Sequence, residues 1–330
     1  MASPQEILAA IKRVRSALSN KDLIAFQTHY LLKDERIHAQ NGRVQASAPC
    51  PVPGEFLVAG AEFERAVDKL PTDKLVIEQD VETGTVKVKG GRFRTTIQTL
   101  PVDLVPDKVF EVGQVAFDSA KFAYALHALR PFISDNATRP FSLCYNFTDG
   151  RAMATNNMVI AECTDTGFDP AVALLLPQWA ADFIMGMGDV EMLDVGVGRN
   201  AMQVRWADGT RMETFLGGQG WPEVARGMLD RMVAPTHEVD EEWRRDVLAL
   251  RELGENEITF HADYVDCGKG RSRTRLDIPT PTPQGQPYTR WTFEFIEPIL
   301  ERATHIDFTN WPKPMAFAWR NVQGIAAART

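Results

Sequence analysis

The residues best suited to proton transfer or metal ligation in this 330-residue chain are six histidines: His29, His38, His127, His237, His261 and His305. They form no HxxxH or HExxH, the spacing that brings two imidazoles to one helical face. His261 and Asp263 read as neighbours on one face of a strand, a structural arrangement. The four cysteines, Cys50, Cys144, Cys163 and Cys267, form no CxxC pair and read as reduced, buried thiols. The turn "CGKGR" at Cys267–Arg271 offers a lysine between glycines, as a phosphate loop does. It lacks the leading glycine spacing and the Ser/Thr after the lysine, so it reads as a tight β-hairpin. There is no GxSxG, and no GxGxxG between a strand and a helix. We therefore expect no catalytic residue, no metal and no cofactor: the chain is not an enzyme. The remaining chemistry is electrostatic, lysine and arginine held where phosphates could meet them.

Those cations sit on the helices. Lys12 and Arg13 point away from an Ile7/Ile11/Val14/Leu18 stripe. Arg65 and Lys69, four apart, project from the side opposite Phe63, Ala66, Val67 and Leu70. Lys121 and Arg130 flank a helix built on Phe122, Ala125, Leu126 and Leu129. Arg245 lies opposite Trp243, Val247 and Leu250, with Arg244 on the flank. Charged faces are ordinary on soluble helices. Here the polar faces lean positive, apart from the nearly uncharged helix after Pro177, while the formal net charge is -8. That contrast suits a polyanion enclosed on one side and contacted through its phosphates.

Hydrophobic residues make up 44% and charged residues 24% of the chain, which reads as globular and too long for one core. No apolar run approaches the roughly 18 residues of a membrane span. "MASPQEILAAIKRVRSAL" mixes charge into its apolar positions, unlike a secretory signal, so a cytoplasmic protein is expected. The sequons at Asn136 and Asn146 then read as chance.

The elements repeat. "FLVAGAEFERAVDKLP" (Phe56–Pro71), "VALLLPQWAADFIMGMG" (Val172–Gly188) and "TRWTFEFIEPILERATH" (Thr289–His305) each read as a strand and a short helix, followed by two strands. "FERA" at Phe63–Ala66 is echoed by "LERA" at Leu300–Ala303, and Pro177 and Pro298 take matching places at helix starts. A second helix precedes each segment, from Pro4, Asp118 and Asp240, the two aspartates serving as N-caps. "FSLCYNF" and "ITFHADYV" alternate with period two, as strands do. Domains are expected at 1–108, 109–232 and a shortened 233–330, cut at the proline-containing connectors "LVPDKVF" and "MVAPTHEV".

In this order and spacing the chain resembles the bacterial or phage DNA sliding clamp, the beta subunit of replicative DNA polymerase. The resemblance spans nearly the whole sequence. It rests on "FLVAGAEFERAVDKLPTDKLVIEQDVETGTVKVKGGRFRTTIQTLP", where the family has a helix ending in Leu-Pro and a G-R-x-R strand closing on T-L-P. It also rests on "RAMATNNMVIAE", similar to the family's A-T-D-G-H-R-L-A, and on "FLGGQGWPEV", similar to G-x-F/Y-P-D-Y. The resemblance implies an α+β fold of three similar clamp domains, each with two helices packed on antiparallel sheets. It implies a head-to-tail homodimer closing a ring around double-stranded DNA, without sequence preference. Its partners would be a replicative polymerase and a clamp loader, with no membrane and no cofactor.

The resemblance also implies sites. Lys12, Arg13, Lys21, Arg65, Lys69, Lys121, Arg130, Arg139, Arg244 and Arg245 would face DNA. Ser142, Leu143, Thr155, Asn157, Met158, Ile160 and Pro222 would form a partner-peptide pocket. There Asn157, Met158 and Ile160 replace the family's Gly, His and Leu, and "IAAART" stands where the family has a Met-Pro-Met-like tail. Arg92, Arg94, Thr95 and Ile97 of "GGRFRTTIQTLP" would meet Arg271, Arg273 and Arg275 of another subunit. Ile97 would supply apolar contact, and the like charges imply either a register shifted toward Asp266 and Asp277 or a ring that closes more weakly than its relatives. Two other readings stay open from the residues alone. One is a clamp-fold decoy or regulator that binds replication partners without encircling DNA. The other is an unrelated multidomain hydrolase.

Overall fold

The computed structural model describes residues 3–21, 24–70, 74–106, 112–135, 139–196, 200–218, 220–253, 256–269, 272–280, 289–308 and 314–327. The first stretch of chain runs α1 (Pro4–Val14), β1 (His29–Lys33), β2 (Arg36–Gln40), β3 (Val44–Pro49), β4 (Phe56–Ala59), α2 (Gly60–Lys69), β5 (Val76–Asp80), β6 (Thr85–Gly90) and β7 (Phe93–Leu100). The second runs β8 (Val112–Gln114), α3 (Ser119–Leu129), β9 (Cys144–Thr148), β10 (Arg151–Thr155), β11 (Val159–Cys163), β12 (Leu174–Pro177), α4 (Gln178–Met187), β13 (Met192–Gly196), β14 (Ala201–Arg205) and β15 (Arg211–Phe215). A short α5 (Glu223–Leu229) leads to β16 (His237–Glu238), α6 (Glu241–Leu253), β17 (Glu257–Phe260), β18 (Val265–Lys269), β19 (Ser272–Leu276), β20 (Thr289–Thr292), α7 (Phe293–Leu300), β21 (His305–Asp307), β22 (Met315–Trp319) and β23 (Val322–Ala326).

The repeat is thus helix, four strands, helix, three strands, three times over, where the sequence predicted two closing strands. The extra strand in the first copy comes from the tight turn at Gly91–Arg92, which splits "TVKVKGGRFRTTIQTL" into β6 and β7. Two echoes in the sequence have no structural counterpart. Phe63 lies inside α2, whereas Leu300 is the last residue of α7 and "ERA" follows the helix. Pro177 closes strand β12, whereas Pro298 sits within α7. Phe141–Leu143 form a 3-10 turn ahead of β9, and His261 and Asp263 lie between β17 and β18 instead of on a strand.

The chain folds as two compact units, Met1–Ser119 with Trp179–Leu216, and Ala120–Gln178 with Gly217–Thr330. The first holds an antiparallel sheet in the order β5-β6-β7-β4-β1-β2-β3-β15-β14-β13-β8. Alternation along β1 to β3 sends Tyr30, Leu32, Ile37, Ala39, Ala46 and Ala48 to one face, where α1 covers them with Ile7, Ile11 and Val14. Each such fully buried branched side chain contributes about 1.5–3 kcal/mol relative to exposure. The opposite face is polar. There His29, His38, Gln40 and Gln45 line a cavity of about 240 Å3. Burial, and then the charge of Arg36, pull the pKa of His38 down from 6.5 to about 4.

The second unit holds two sheets, β12-β9-β10-β11-β23-β22-β21-β16 and β19-β18-β17-β20. Asp240 caps α6 as its sequence position predicts, its Oδ1 accepting the N–H groups of Glu242 and Trp243 at 2.8 and 3.0 Å. Where β23 crosses between β11 and β22, Gly324 leaves no room for a side chain. A Cβ there would stand 2.4 Å from the Phe317 ring and 2.5 Å from the Ile160 carbonyl oxygen.

Gly324→Ala is expected to lower stability by about 1–3 kcal/mol through overpacking. Gly186→Ala, at an exposed helical position with open space around it, is expected to raise stability by about 0.5–1 kcal/mol. Urea unfolding reads both. A second expectation concerns His38. Its folded pKa lies below its unfolded one, so its contribution is fully present above pH 6.5 and is lost as pH falls toward 4. His38→Gln should flatten that part of the stability–pH curve.

Candidate functional site: charged helices, an apolar cleft and two strand edges

The ten cations expected to meet phosphates divide by what already holds them. Arg13 is a strut: its guanidinium pairs with Asp208 at 2.7 Å and donates to the Met187 carbonyl at 3.1 Å. Arg244 is largely buried, donating to the Ala303 carbonyl at 2.6 Å and to Glu241 at 2.6 Å. Both side chains are bound by their own fold. Lys69 pairs with Asp68 at 2.6 Å, Lys121 with Asp165 at 2.9 Å, and Arg245 with Asp246 at 2.9 Å. Arg139 donates to Asn157 at 3.2 Å, and Arg130 is half-buried. Lys12, Lys21 and Arg65 are exposed and form no ion pair among the described residues.

The predicted positive lean of the helices also changes. Glu62, Glu64 and Asp68 outnumber Arg65 and Lys69 on α2, and α7 carries only Glu294 and Glu297. On α6 the carboxylates Glu241, Glu242, Asp246 and Glu252 outnumber Arg244, Arg245 and Arg251. The excess of positive charge is confined to α1 and α3.

The expected pocket residues gather in the second unit around β10, β11 and the 3-10 turn before β9. Ser142 is fully buried and donates to the Arg139 carbonyl at 2.8 Å, with Leu143 half-buried beside it. Thr155 is buried, its hydroxyl donating to the Val159 carbonyl at 2.8 Å and accepting the Asn157 N–H at 3.1 Å. Asn157 holds φ at +73°, the left-handed conformation that glycine adopts freely and asparagine tolerates best among the rest. This explains how asparagine serves where the resembled motif has glycine. The Met158 carbonyl accepts the Ala327 N–H at 2.8 Å, Ile160 faces Ile325 across β11 and β23, and Pro222 leads into α5.

The open space lies next to these residues. Met228, Arg231, Met232, Val233, Pro314, Ala316 and Ile325 line a mostly apolar cleft of about 330 Å3. Val224, Met228 and Val233 are exposed hydrophobics on or just after α5. Sequence reasoning missed this lining, since α5 follows "GWPEV" without a periodic apolar run long enough to announce a helix. Methionines make such a cleft adaptable in shape.

Two strand edges complete the picture. β7 is not a terminal strand: β6 pairs along its length, but β4 pairs only with Thr99 and Leu100. The edge of residues 93–98 opposite β6 therefore has no partner among the described residues. Ile97 is 2% exposed and packs inward, so the predicted apolar contact falls to Phe93, which is 56% exposed. Arg94 and Arg92 are exposed, Arg92 in the turn before the strand and Thr95 half-buried. In the second unit β19 is an edge strand, joined to β18 by the expected hairpin, with Arg273 and Arg275 exposed; Arg271 lies outside the described residues. Asp266 is buried and already engaged, its Oδ2 at 2.9 Å from His261 Nε2 and 3.7 Å from Arg273. Its Oδ1 is buried without a hydrogen-bond partner among the described residues. Asp277 pairs with Arg275 at 2.6 Å.

Among the described residues no group of three His, Cys, Asp or Glu side chains could hold a metal, and no helix is long and apolar enough to cross a membrane. Burial pushes the thiols of Cys144 and Cys163 up to about 11.

No protein-family model and no curated protein matches the sequence. Solved structures do match in fold. The DNA polymerase sliding clamp of Bacillus subtilis superposes with a TM-score of 0.81 at 12% identity, covering 99% of this chain and 98% of that one. The DNA polymerase III subunit beta of Pseudomonas aeruginosa gives 0.80 at 13% identity, covering 100% and 99%. The Helicobacter pylori beta clamp bound to a DNA ligase peptide gives 0.78 at 12% identity, covering 100% and 99%. The chain has the sliding-clamp fold from end to end.

The division of the cations is open to test. Arg244→Ala is expected to cost about 1.5–3 kcal/mol of stability, the worth of a buried charged hydrogen bond. Arg65→Ala should stay within about 0.5 kcal/mol. Equal losses in urea unfolding would erase the distinction between strut and free cation.

Proposed function

We propose that this chain is a DNA sliding clamp: a non-catalytic, cytoplasmic processivity factor whose copies join head to tail in a ring around duplex DNA. Its domains would follow the repeat, at 1–108, 109–232 and 233–330, with the last one shortened. One observation carries the reading. In the second and third copies of the repeat, the last strand pairs with the third strand of the copy before it. β15 pairs with β3, and β23 pairs with β11. The strands left over by this rule are β7, the last strand of the first copy, and β19, the third strand of the last. Among the described residues both have open edges and neither pairs with the other. The same junction made a third time would join two chains, and head-to-tail joining whose rotation closes gives a ring.

A ring holds DNA by topology, so its contacts with phosphate can be weak. Lys12, Lys21 and Arg65 would meet the backbone directly. Lys69, Lys121, Arg139 and Arg245 have exposed partners, and such surface pairs are worth about 1 kcal/mol or less, so a phosphate can displace them. The apolar cleft beside α5, with Ile160 and Thr155 near it, would receive short peptides of the polymerase, the clamp loader and other replication proteins. The Helicobacter pylori clamp, similar in fold over its whole length, carries a DNA ligase peptide.

With a loader and a nicked circular DNA, the protein should stay bound to the circle and run off once the circle is linearised. Loss at equal rates from both forms would sink the topological reading. Replacing Lys12, Lys21 and Arg65 together by glutamate should shorten retention and lower the salt slope of DNA binding by about 3. Capture of partner peptides should be unchanged.

A further inference from the structure

The two junctions inside the chain fix the register of the third. On the outer faces of the sheets, the fourth residue of the third strand meets a polar partner on the closing strand. Ser47 faces Arg211, and Glu162 faces Gln323. Glu162 accepts from Gln323 at 2.6 Å. The hairpin β22–β23 turns over two residues, pairing Trp319 with Val322, just as β6–β7 pairs Gly90 with Phe93. Gln323 therefore corresponds to Arg94. The fourth residue of β19 is Arg275. The pairing that would close the ring thus sets Arg94 directly against Arg275.

The faces agree. Ile97 and its cross-strand neighbour Val86 are buried, which puts Arg94 on the outer face of the first unit's sheet. Val265 and Cys267 are buried opposite Leu276 and Thr274, which puts Arg273 and Arg275 on the outer face of the four-stranded sheet. The carboxylates beside them are shared: Glu78 lies near both Lys89 and Arg94, and Asp266 is the cross-strand neighbour of Arg275. Lys89, the cross-strand neighbour of Arg94, already occupies Glu78. Arg275 lies over the Tyr264 ring at 3.8 Å and shares Asp277, and Arg273 shares Asp266 with His261. Like charges directly opposite each other on a ladder destabilise it. Planar guanidiniums facing one another match the geometry of an oxyanion, which accepts two hydrogen bonds from each.

Resting on the clamp reading, we propose that the seam between β7 of one copy and β19 of the next is an oxyanion site. A phosphate-type anion bridges Arg94 and Arg275, and the ring closes tightly only with it bound.

Sedimentation equilibrium tests this on the full chain, in sodium chloride and in sodium phosphate at matched ionic strength. Phosphate should lower the dimer dissociation constant about tenfold, the worth of one charge-assisted hydrogen bond. Arg94→Glu supplies the missing carboxylate, so this variant should dimerise tightly in chloride and lose the phosphate response. A dimer equally strong in both salts overturns the oxyanion site and leaves the clamp reading standing. A phosphate response kept in full by Arg94→Glu also overturns it, as general salting-out of apolar surface. Monomer in every arm, the variant included, overturns the clamp reading itself.

Discussion

Everything in this fold depends on one backbone arrangement: each repeat ends in a strand whose outer edge its own repeat does not fill. An unfilled edge leaves a row of N–H and C=O groups that only another strand can satisfy without water. Inside the chain, β15 meets that need at β3 and β23 meets it at β11. These long-range pairings weld residues from successive repeats into common sheets. The compact units therefore run across the repeats and divide between Gln178 and Trp179, inside the second. The same requirement explains Gly324, where β23 is pressed between β11 and β22 and any side chain would strike Phe317.

Charge is distributed around that framework in two roles that composition cannot separate. Arg13 and Arg244 look like surface cations in sequence, each next to another basic residue on an amphipathic helix. Both instead reach backbone carbonyls far along the chain, Met187 and Ala303. Long side chains of this kind carry their charge to partners set by tertiary structure, which a helical wheel cannot show. Lys12, Lys21 and Arg65 remain exposed and form no ion pair among the described residues. An overall negative chain with a few bare cations would be repelled by DNA at long range and held by it only locally, which suits a sliding contact more than a binding site.

The repeat was legible because hydrophobic periodicity survives where sequence identity does not: Ile7, Ile11 and Val14, or Phe122, Ala125 and Leu129, mark their helices unaided. Short identity did not carry the same weight. "FERA" and "LERA" share three letters of four, yet one is helical and the other mostly follows a helix. Thr155 and Asn157 have local roles, a hydroxyl bonding two residues on and a left-handed φ, which rest on their residue types alone. The cleft lined by Met228, Met232, Ala316 and Ile325 was not. It exists only because β23 lies beside β11, a pairing of residues some 160 positions apart in the chain.

The two junctions within the chain differ in one physical respect from the one proposed between copies. At β3–β15 and β11–β23 both strands belong to one chain, so pairing is intramolecular and its effective concentration is high. A mismatched side-chain pair there would cost some stability and leave the junction formed. A junction between β7 and β19 of separate copies must also offset the lost translational and rotational freedom of association, a cost of several kcal/mol. There a single facing pair can decide whether the seam is shut. A ring formed as proposed would have to open at a seam between copies, because opening an in-chain junction would tear a continuous sheet. The sequence places complementary or neutral pairs, Glu162 with Gln323 and Ser47 with Arg211, where the sheet must stay closed. Inside the sheet a facing pair of like charge, Arg205 with Arg211, is held in place by the strands around it; under the proposed closure Arg94 would face Arg275 with no such covalent support, so small changes in solution conditions would act there first.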